Sequence, residues 1–222
     1  MTSALSVPIS AQVEEFLQSV NPKRGRIILG FDATASREET WDRAMHLQAQ
    51  MFETVATTGG LDVQLVYYRG YGECVASRWK SDAKSLATIM SGVTCSAGHT
   101  QIRKVLAHTR KEHSREKVAA LVVVSDACEE TPYDPYAEAR ELGVPTFMFQ
   151  EGSDEYVAEI YAEIAKLTKG AHCKFDNSSA QRLADLLKAV AAFASGGVKA
   201  LANQNSEAAR LLLTQVKKDN HS

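Results

Sequence analysis

Residues 26–36 read RIILGFDATAS. The run Ile27-Ile28-Leu29-Gly30-Phe31 carries no polar side chain and ends abruptly at Asp32. That pattern suits a strand buried on both faces, as in a parallel sheet covered by helices. Asp32, Thr34 and Ser36 then follow at alternate positions, one carboxylate and two hydroxyls at the mouth of the strand. Residues 118–124, VAALVVV, form a second such run and end in Ser125-Asp126. This is the clearest central parallel strand in the chain.

Outward from these two runs, strand and helix patterns alternate. Residues 36–58 have helical spacing, with Trp41, Met45, Ala49, Phe52 and Val55 on one side and Gly59-Gly60 as the stop. Residues 61–68, LDVQLVYY, read as a strand, and Gly70-Tyr71-Gly72 as a turn into an antiparallel return over 73–79. A short helix over 81–90 has Ser81 as its expected N-cap. Helices are also expected over 101–113, from Asp134 or Tyr136 to Leu142, over 154–168 and over 178–193. Strands are expected over 145–150 and 172–175. Gly196-Gly197 breaks the chain before a last helix, 198–216. At the other end, Ile9, Val13, Phe16, Leu17 and Val20 mark a helix over 9–20 that Asn21-Pro22 terminates.

This succession predicts an α/β fold: a doubly wound, mostly parallel sheet with one antiparallel edge strand and helices on both faces. The organisation expected is an N-terminal helix packed on the domain (1–23), a main domain (24–195), and a C-terminal helix and tail (196–222).

Composition narrows the function classes. The chain has 222 residues, 45% hydrophobic and 23% charged, with a formal net charge of −2. Nothing here favours bulk electrostatic binding of nucleic acid or an anionic membrane. No apolar run approaches the ~20 residues of a membrane span. The N-terminus, MTSALSVPISAQVEEF, lacks the basic start and apolar stretch of a secretory signal. Cys74, Cys95, Cys128 and Cys173 form no C-x-x-C pair. Thiols in a reducing compartment, and a soluble cytoplasmic protein, are the expectation.

In open α/β sheets, ligands bind beyond the carboxyl ends of the strands, where strand order reverses. Asp32 and Asp126 both stand at such ends, and Thr100 precedes the helix over 101–113. Asp32, Thr34, Ser36, Thr100 and Asp126 therefore form a candidate set of oxygen donors from three loops. Oxygen donors without sulfur or imidazole suit Mg²⁺, with Mn²⁺ as the alternative. Neutral hydroxyls would leave such an ion electrophilic, and a carboxylate from another molecule could complete its shell.

The ordered set Asp32-Ala33-Thr34-Ala35-Ser36, Gly98-His99-Thr100 and Ser125-Asp126 resembles the metal-ion-dependent adhesion site of von Willebrand factor type A (VWA) domains, of the intracellular bacterial type. The likeness covers about residues 24–195 and implies a Rossmann-like fold. It also implies Thr34, Ser36 and Thr100 as direct ligands, with Asp32 and Asp126 acting mostly through water. Thr34 departs from the commoner Ser but keeps the oxygen. The function implied is protein–protein contact rather than catalysis, with a partner that presents Asp or Glu, an ATPase being one candidate.

Other features read more plainly. His108 and His113 lie five apart, not the four that a zinc helix needs, and fit a solvated face. His99 is expected behind a ligand or at the rim rather than on the ion, and Glu129-Glu130 in a polar loop with Asp134 as a cap. The aromatic and basic residues around 67–80 are expected to pack rather than to stack on nucleic-acid bases. The competing function is a Mg²⁺-dependent phosphatase or phosphotransferase with Asp32 as nucleophile. The second Asp that such enzymes need two residues on is Thr34 here.

Overall fold

The two apolar runs are neighbours in the computed structural model, which describes residues 24–37, 60–175 and 180–218. They become β1 (Gly25–Asp32) and β4 (Ala120–Ser125), parallel, with Phe31 opposite Val124. The other strands are β2 (Leu61–Arg69), β3 (Glu73–Ala76), β5 (Thr146–Glu151) and β6 (Ala171–Phe175). They form a six-stranded sheet in the order β3-β2-β1-β4-β5-β6, parallel except for β3 at one edge. The predicted helix over 9–20 lies outside the described residues, and so does the one over 36–58 beyond Arg37, Ala35–Arg37 forming a 3-10 turn.

Helices among the described residues are α1 (Ala83–Ser91), α2 (Ile102–Arg115), α3 (Tyr133–Leu142), α4 (Glu155–Leu167), α5 (Ala180–Ala202) and α6 (Glu207–Lys218). Because side chains alternate along a strand, β1 feeds two cores. Ile27, Leu29 and Phe31 pack with Leu86 and Met90 of α1, Leu187 and Val190 of α5 and Leu212 of α6. Ile28 faces the other way, toward Val105 of α2, Leu142 of α3 and Ile160 of α4. Helices thus cover both faces, as the unbroken apolar runs require.

Three boundaries differ from expectation. Asp82, not Ser81, caps α1, its carboxylate accepting from Ser85 N at 2.8 Å. An anion there also meets the positive end of the helix dipole, while the Ser81 hydroxyl donates to Asp62 instead. The expected strand over 73–79 stops at Ala76 because the Ser77 hydroxyl accepts from Leu65 N, where a strand would offer a carbonyl. The chain rejoins the sheet only at Lys80, bridged to Val63. Asp134 lies in the first turn of α3 and Pro132 stands at its N-cap.

The glycine break is present, inside α5: Gly197 has φ 64° and ψ −158°, a backbone region open to glycine alone. The expected single helix 198–216 is two pieces, because Ser206 caps a new start, its hydroxyl accepting from Ala209 N. From α6, Gln215 accepts from His172 N at 2.8 Å and donates to His172 O at 2.9 Å. One side-chain amide so satisfies backbone groups of β6, the outer strand on that side, which would otherwise invite another strand.

Candidate metal centre

Strand order reverses between β1 and β4, and in open α/β sheets the ligand crevice lies outside the carboxyl ends of the strands at that point. Asp32 ends β1 and Asp126 directly follows β4, which puts both carboxylates at that crevice. Asp32 is 1% exposed. Its Oδ1 accepts from Thr34 N at 2.8 Å, a tight turn that brings the Thr34 hydroxyl to the same side. Thr34 Oγ1 lies 3.2 Å from Ser36 Oγ, so the alternate spacing does gather two hydroxyls beside one carboxylate. Asp32 Oδ2 accepts from Ser125 Oγ at 2.8 Å, and this bond joins the first loop to the third.

Ser125 is held in turn by Tyr68, whose hydroxyl donates to Ser125 Oγ at 3.0 Å across β1. Tyr68 is fully buried, and burial keeps its phenol protonated, far above the usual range. On the other flank the Tyr161 hydroxyl donates to Ala127 O at 2.6 Å, fixing the turn that carries Asp126. Neither tyrosine was a candidate from sequence. The signal was present only as a polar tip at the end of an apolar face.

Burial raises the Asp32 carboxyl above its ordinary value; hydrogen bonds from Thr34 and Ser125 oppose this, and the Asp126 charge adds to it. Two carboxylates close enough to repel are costly unless a cation lies between them. Asp126 Oδ1 is buried and has no hydrogen-bond partner among the described residues. A buried carboxylate oxygen without a donor is uncommon in folded proteins, and a bound cation or a water is what such an oxygen usually meets. The donor set is hard oxygen throughout, which fits Mg²⁺ or Mn²⁺. Among the described residues, no three His, Cys, Asp or Glu side chains converge to hold a metal.

Thr100 is 3% exposed and comes from the second loop. Its hydroxyl accepts from Glu129 N at 2.9 Å, and its own N–H donates to Glu129 Oε2 at 2.7 Å. Glu130 caps α2, accepting from Ile102 N and from Arg103 N. The pair expected in a plain polar loop therefore binds the loop after β4 to the start of α2. Sequence reading missed this because the capping residues lie far from the helix they cap.

The second loop is also bound to the β2–β3 turn. Gly98 presses on Gly70 so closely that a Cβ there would stand 2.1 Å from Gly70 O. Gln101 Nε2 donates to Arg69 O at 3.1 Å and to Glu73 O at 3.2 Å. His99 is exposed and stacks edge-on against Tyr71. His108 bonds Gln64 and His113 bonds Val118, so both histidines serve the scaffold. The Trp79 ring is covered by the Arg26 guanidinium and bonded to Glu112, a packed arrangement rather than an open stacking platform. Cys128 and Cys173 are buried thiols, each pushed up to about 12 by burial.

No sequence-family model matches the chain, and no curated protein matches it in sequence. Solved structures do match it in fold. A von Willebrand factor type A protein from Catenulispora acidiphila aligns with a TM-score of 0.64 at 14% identity, over 78% of this chain and 43% of that one. The SpRpn10 VWA domain aligns at 0.59 and 9% identity, over 73% of this chain and 94% of that domain. Proximal thread matrix protein 1 from the mussel byssus, with a zinc-occupied MIDAS motif, aligns at 0.56 and 18% identity, over 76% of this chain and 45% of that one. The chain thus spans less than half of the Catenulispora and mussel proteins. No helix among the described residues is long and apolar enough to cross a membrane.

Proposed function

We propose that this chain, which has the von Willebrand factor type A fold, is a protein-interaction module that meets its partner through a divalent cation at the carboxyl edge of the sheet. The observation that carries the reading is Asp126 Oδ1, a buried carboxylate oxygen without a donor, on the rim of a crevice that also holds Asp32. Asp32, Thr34, Ser36, Thr100 and Asp126 would hold the ion, Mg²⁺ in the first instance and Mn²⁺ as the alternative. The bound ion supplies an electrophilic point for a carboxylate of the partner. The zinc named for the mussel protein supports a divalent cation without choosing among metals.

The chain's own residues set the conditions. Thr34 N and Ser125 Oγ orient the Asp32 carboxylate. Tyr68 and Tyr161 brace the turn beneath. Burial of Asp32 at 1% exposure, with both oxygens engaged, supports a holding role over nucleophilic attack. The partner would present an Asp or Glu, and the family resemblance adds an ATPase as a candidate. Residues 24–195 would form the binding domain, with 1–23 and 196–222 as added helices. Buried thiols fit a reducing compartment, and the cytoplasm is proposed on that ground.

Calorimetric titration of the purified chain with Mg²⁺ and with Mn²⁺ tests the metal. Heat is expected for both and none for Asp126→Ala. Capture of partners from native lysate, in Mg²⁺ and in EDTA, tests the contact. Absence of binding by either ion, or capture indifferent to EDTA, would overturn the proposal.

A further inference from the structure

Thr100 is the outlying member of the candidate set, and its placement needs an explanation of its own. It stands just before α2, whose N-cap residue, Gln101, makes no side-chain cap bond. The Gln101 amide instead turns to the carbonyls of Arg69 and Glu73. The start of α2 therefore has exposed donors, and these are met from the β4–α3 loop. Glu130 takes Ile102 N and Arg103 N, and Glu129 takes Thr100 N.

The Glu129 contact differs from the Glu130 cap because it is reciprocal. The Glu129 carboxylate accepts from Thr100 N, and Glu129 N donates to Thr100 Oγ1. The main chain of Glu129 makes the bond to the hydroxyl. Its side chain holds the Thr100 backbone from which that hydroxyl hangs, and so acts on the hydroxyl by stopping that backbone from pivoting. A hydroxyl oxygen has two lone pairs. One is taken by Glu129 N, which leaves one lone pair and a fixed direction for it. Asp126 lies on the same short loop as Glu129, so this contact also ties one carboxylate of the site to the hydroxyl of another loop.

We infer that Glu129 is the positioning residue that sets the Thr100 hydroxyl for the cation and couples the loop after β4 to the loop before α2. The inference rests on the metal reading above. Glu129 does not ligate the ion; it acts through Thr100. Partners of this kind around metal ligands commonly matter by 10–100-fold in affinity.

The probe is Mn²⁺ alone, its free concentration read by electron paramagnetic resonance against the purified chain. Glu129 is exposed, so truncation leaves no cavity. Glu129→Ala and Glu129→Asp both remove the reach to Thr100 N, and the second keeps the charge. Glu129→Gln keeps the reach and loses the charge. Mn²⁺ affinity should fall about tenfold in the Ala and Asp variants and stay within about threefold in the Gln variant. Amide hydrogen exchange at the start of α2, measured without metal, should quicken in the first two and not in the third.

A Gln variant as weak as the Ala variant, with Asp near wild type, would mean that charge alone matters and would overturn the inference. Wild-type affinity in all three would overturn it as well, as would weaker binding with unchanged exchange. Failure of the wild-type chain to bind Mn²⁺ at all would instead remove the metal reading beneath it.

Discussion

Asp32 and Ser125, 93 residues apart in sequence, share a hydrogen bond of 2.8 Å where two adjacent parallel strands end. Ser125 also receives the Tyr68 hydroxyl. One small side chain therefore joins the carboxylate of the first loop to a buried phenol on the far side of β1. Ser125→Ala leaves the Tyr68 hydroxyl without its acceptor and Asp32 Oδ2 without its donor. The expected cost is about 1–3 kcal/mol, the range for stranding buried polar groups. Urea unfolding of the two proteins, without metal, measures it; equal midpoints would show the bond contributes nothing.

Asp126→Asn should act in two directions. Without metal it removes a charge that opposes Asp32, a lesser influence than burial, so the variant should melt no lower than the wild type. With metal, the wild type should gain stability as the ion binds the folded state alone, and the variant should gain little. Thermal melts with and without saturating Mg²⁺ give both comparisons. A variant that melts lower than wild type in EDTA would contradict the repulsion inferred from Asp32.

Gly98→Ala brings a methyl against the Gly70 backbone, which has no flexible end to yield. Overpacking of this kind costs about 1–3 kcal/mol. Because Gly98 and Thr100 share a loop, Mn²⁺ affinity should drop in the same variant. Retained affinity despite lost stability would mean that the loop shifts without disturbing Thr100.

His172 supplies part of the pH dependence, in the same sense as His108, which burial also lowers. Burial, helped by the Lys174 charge and opposed by Glu155, pushes its imidazole down to about 4. Unfolded, the ring titrates near 6.5. The unfolded chain then takes the proton first, so stability is full above about pH 6.5 and is lost as pH falls toward 4. Asp32 and Glu130, both raised by burial, act in the opposite sense. The readout is therefore the difference between wild type and His172→Asn. Wild type should lose more than the variant between about pH 7.5 and about pH 5. Parallel losses would exclude His172 as the source.

The local rules of the chain carried much of this protein. The apolar runs at Ile27–Phe31 and 118–124 can be buried only between two helical layers, and both became central strands. Gly196-Gly197 ended a helix where the backbone demanded glycine. Alternate spacing placed Thr34 and Ser36 beside Asp32, since a turn of that length has few ways to fold. These features depend on neighbours in sequence, so sequence displays them.

Contacts between distant segments had no such trace. The Ser125 bridge, the Tyr68 and Tyr161 braces, the Glu129 pair with Thr100 and the Gln215 cover on β6 each join residues that no local pattern relates. Asp82 displaced Ser81 as a cap because Asp62 claimed the serine hydroxyl across the fold. Sequence by itself determined which side chains could reach the carboxyl edge. Only the tertiary structure decided which oxygens there are satisfied by donors and which, like Asp126 Oδ1, are not, because hydrogen bonding in a buried site depends on what the rest of the chain brings to it.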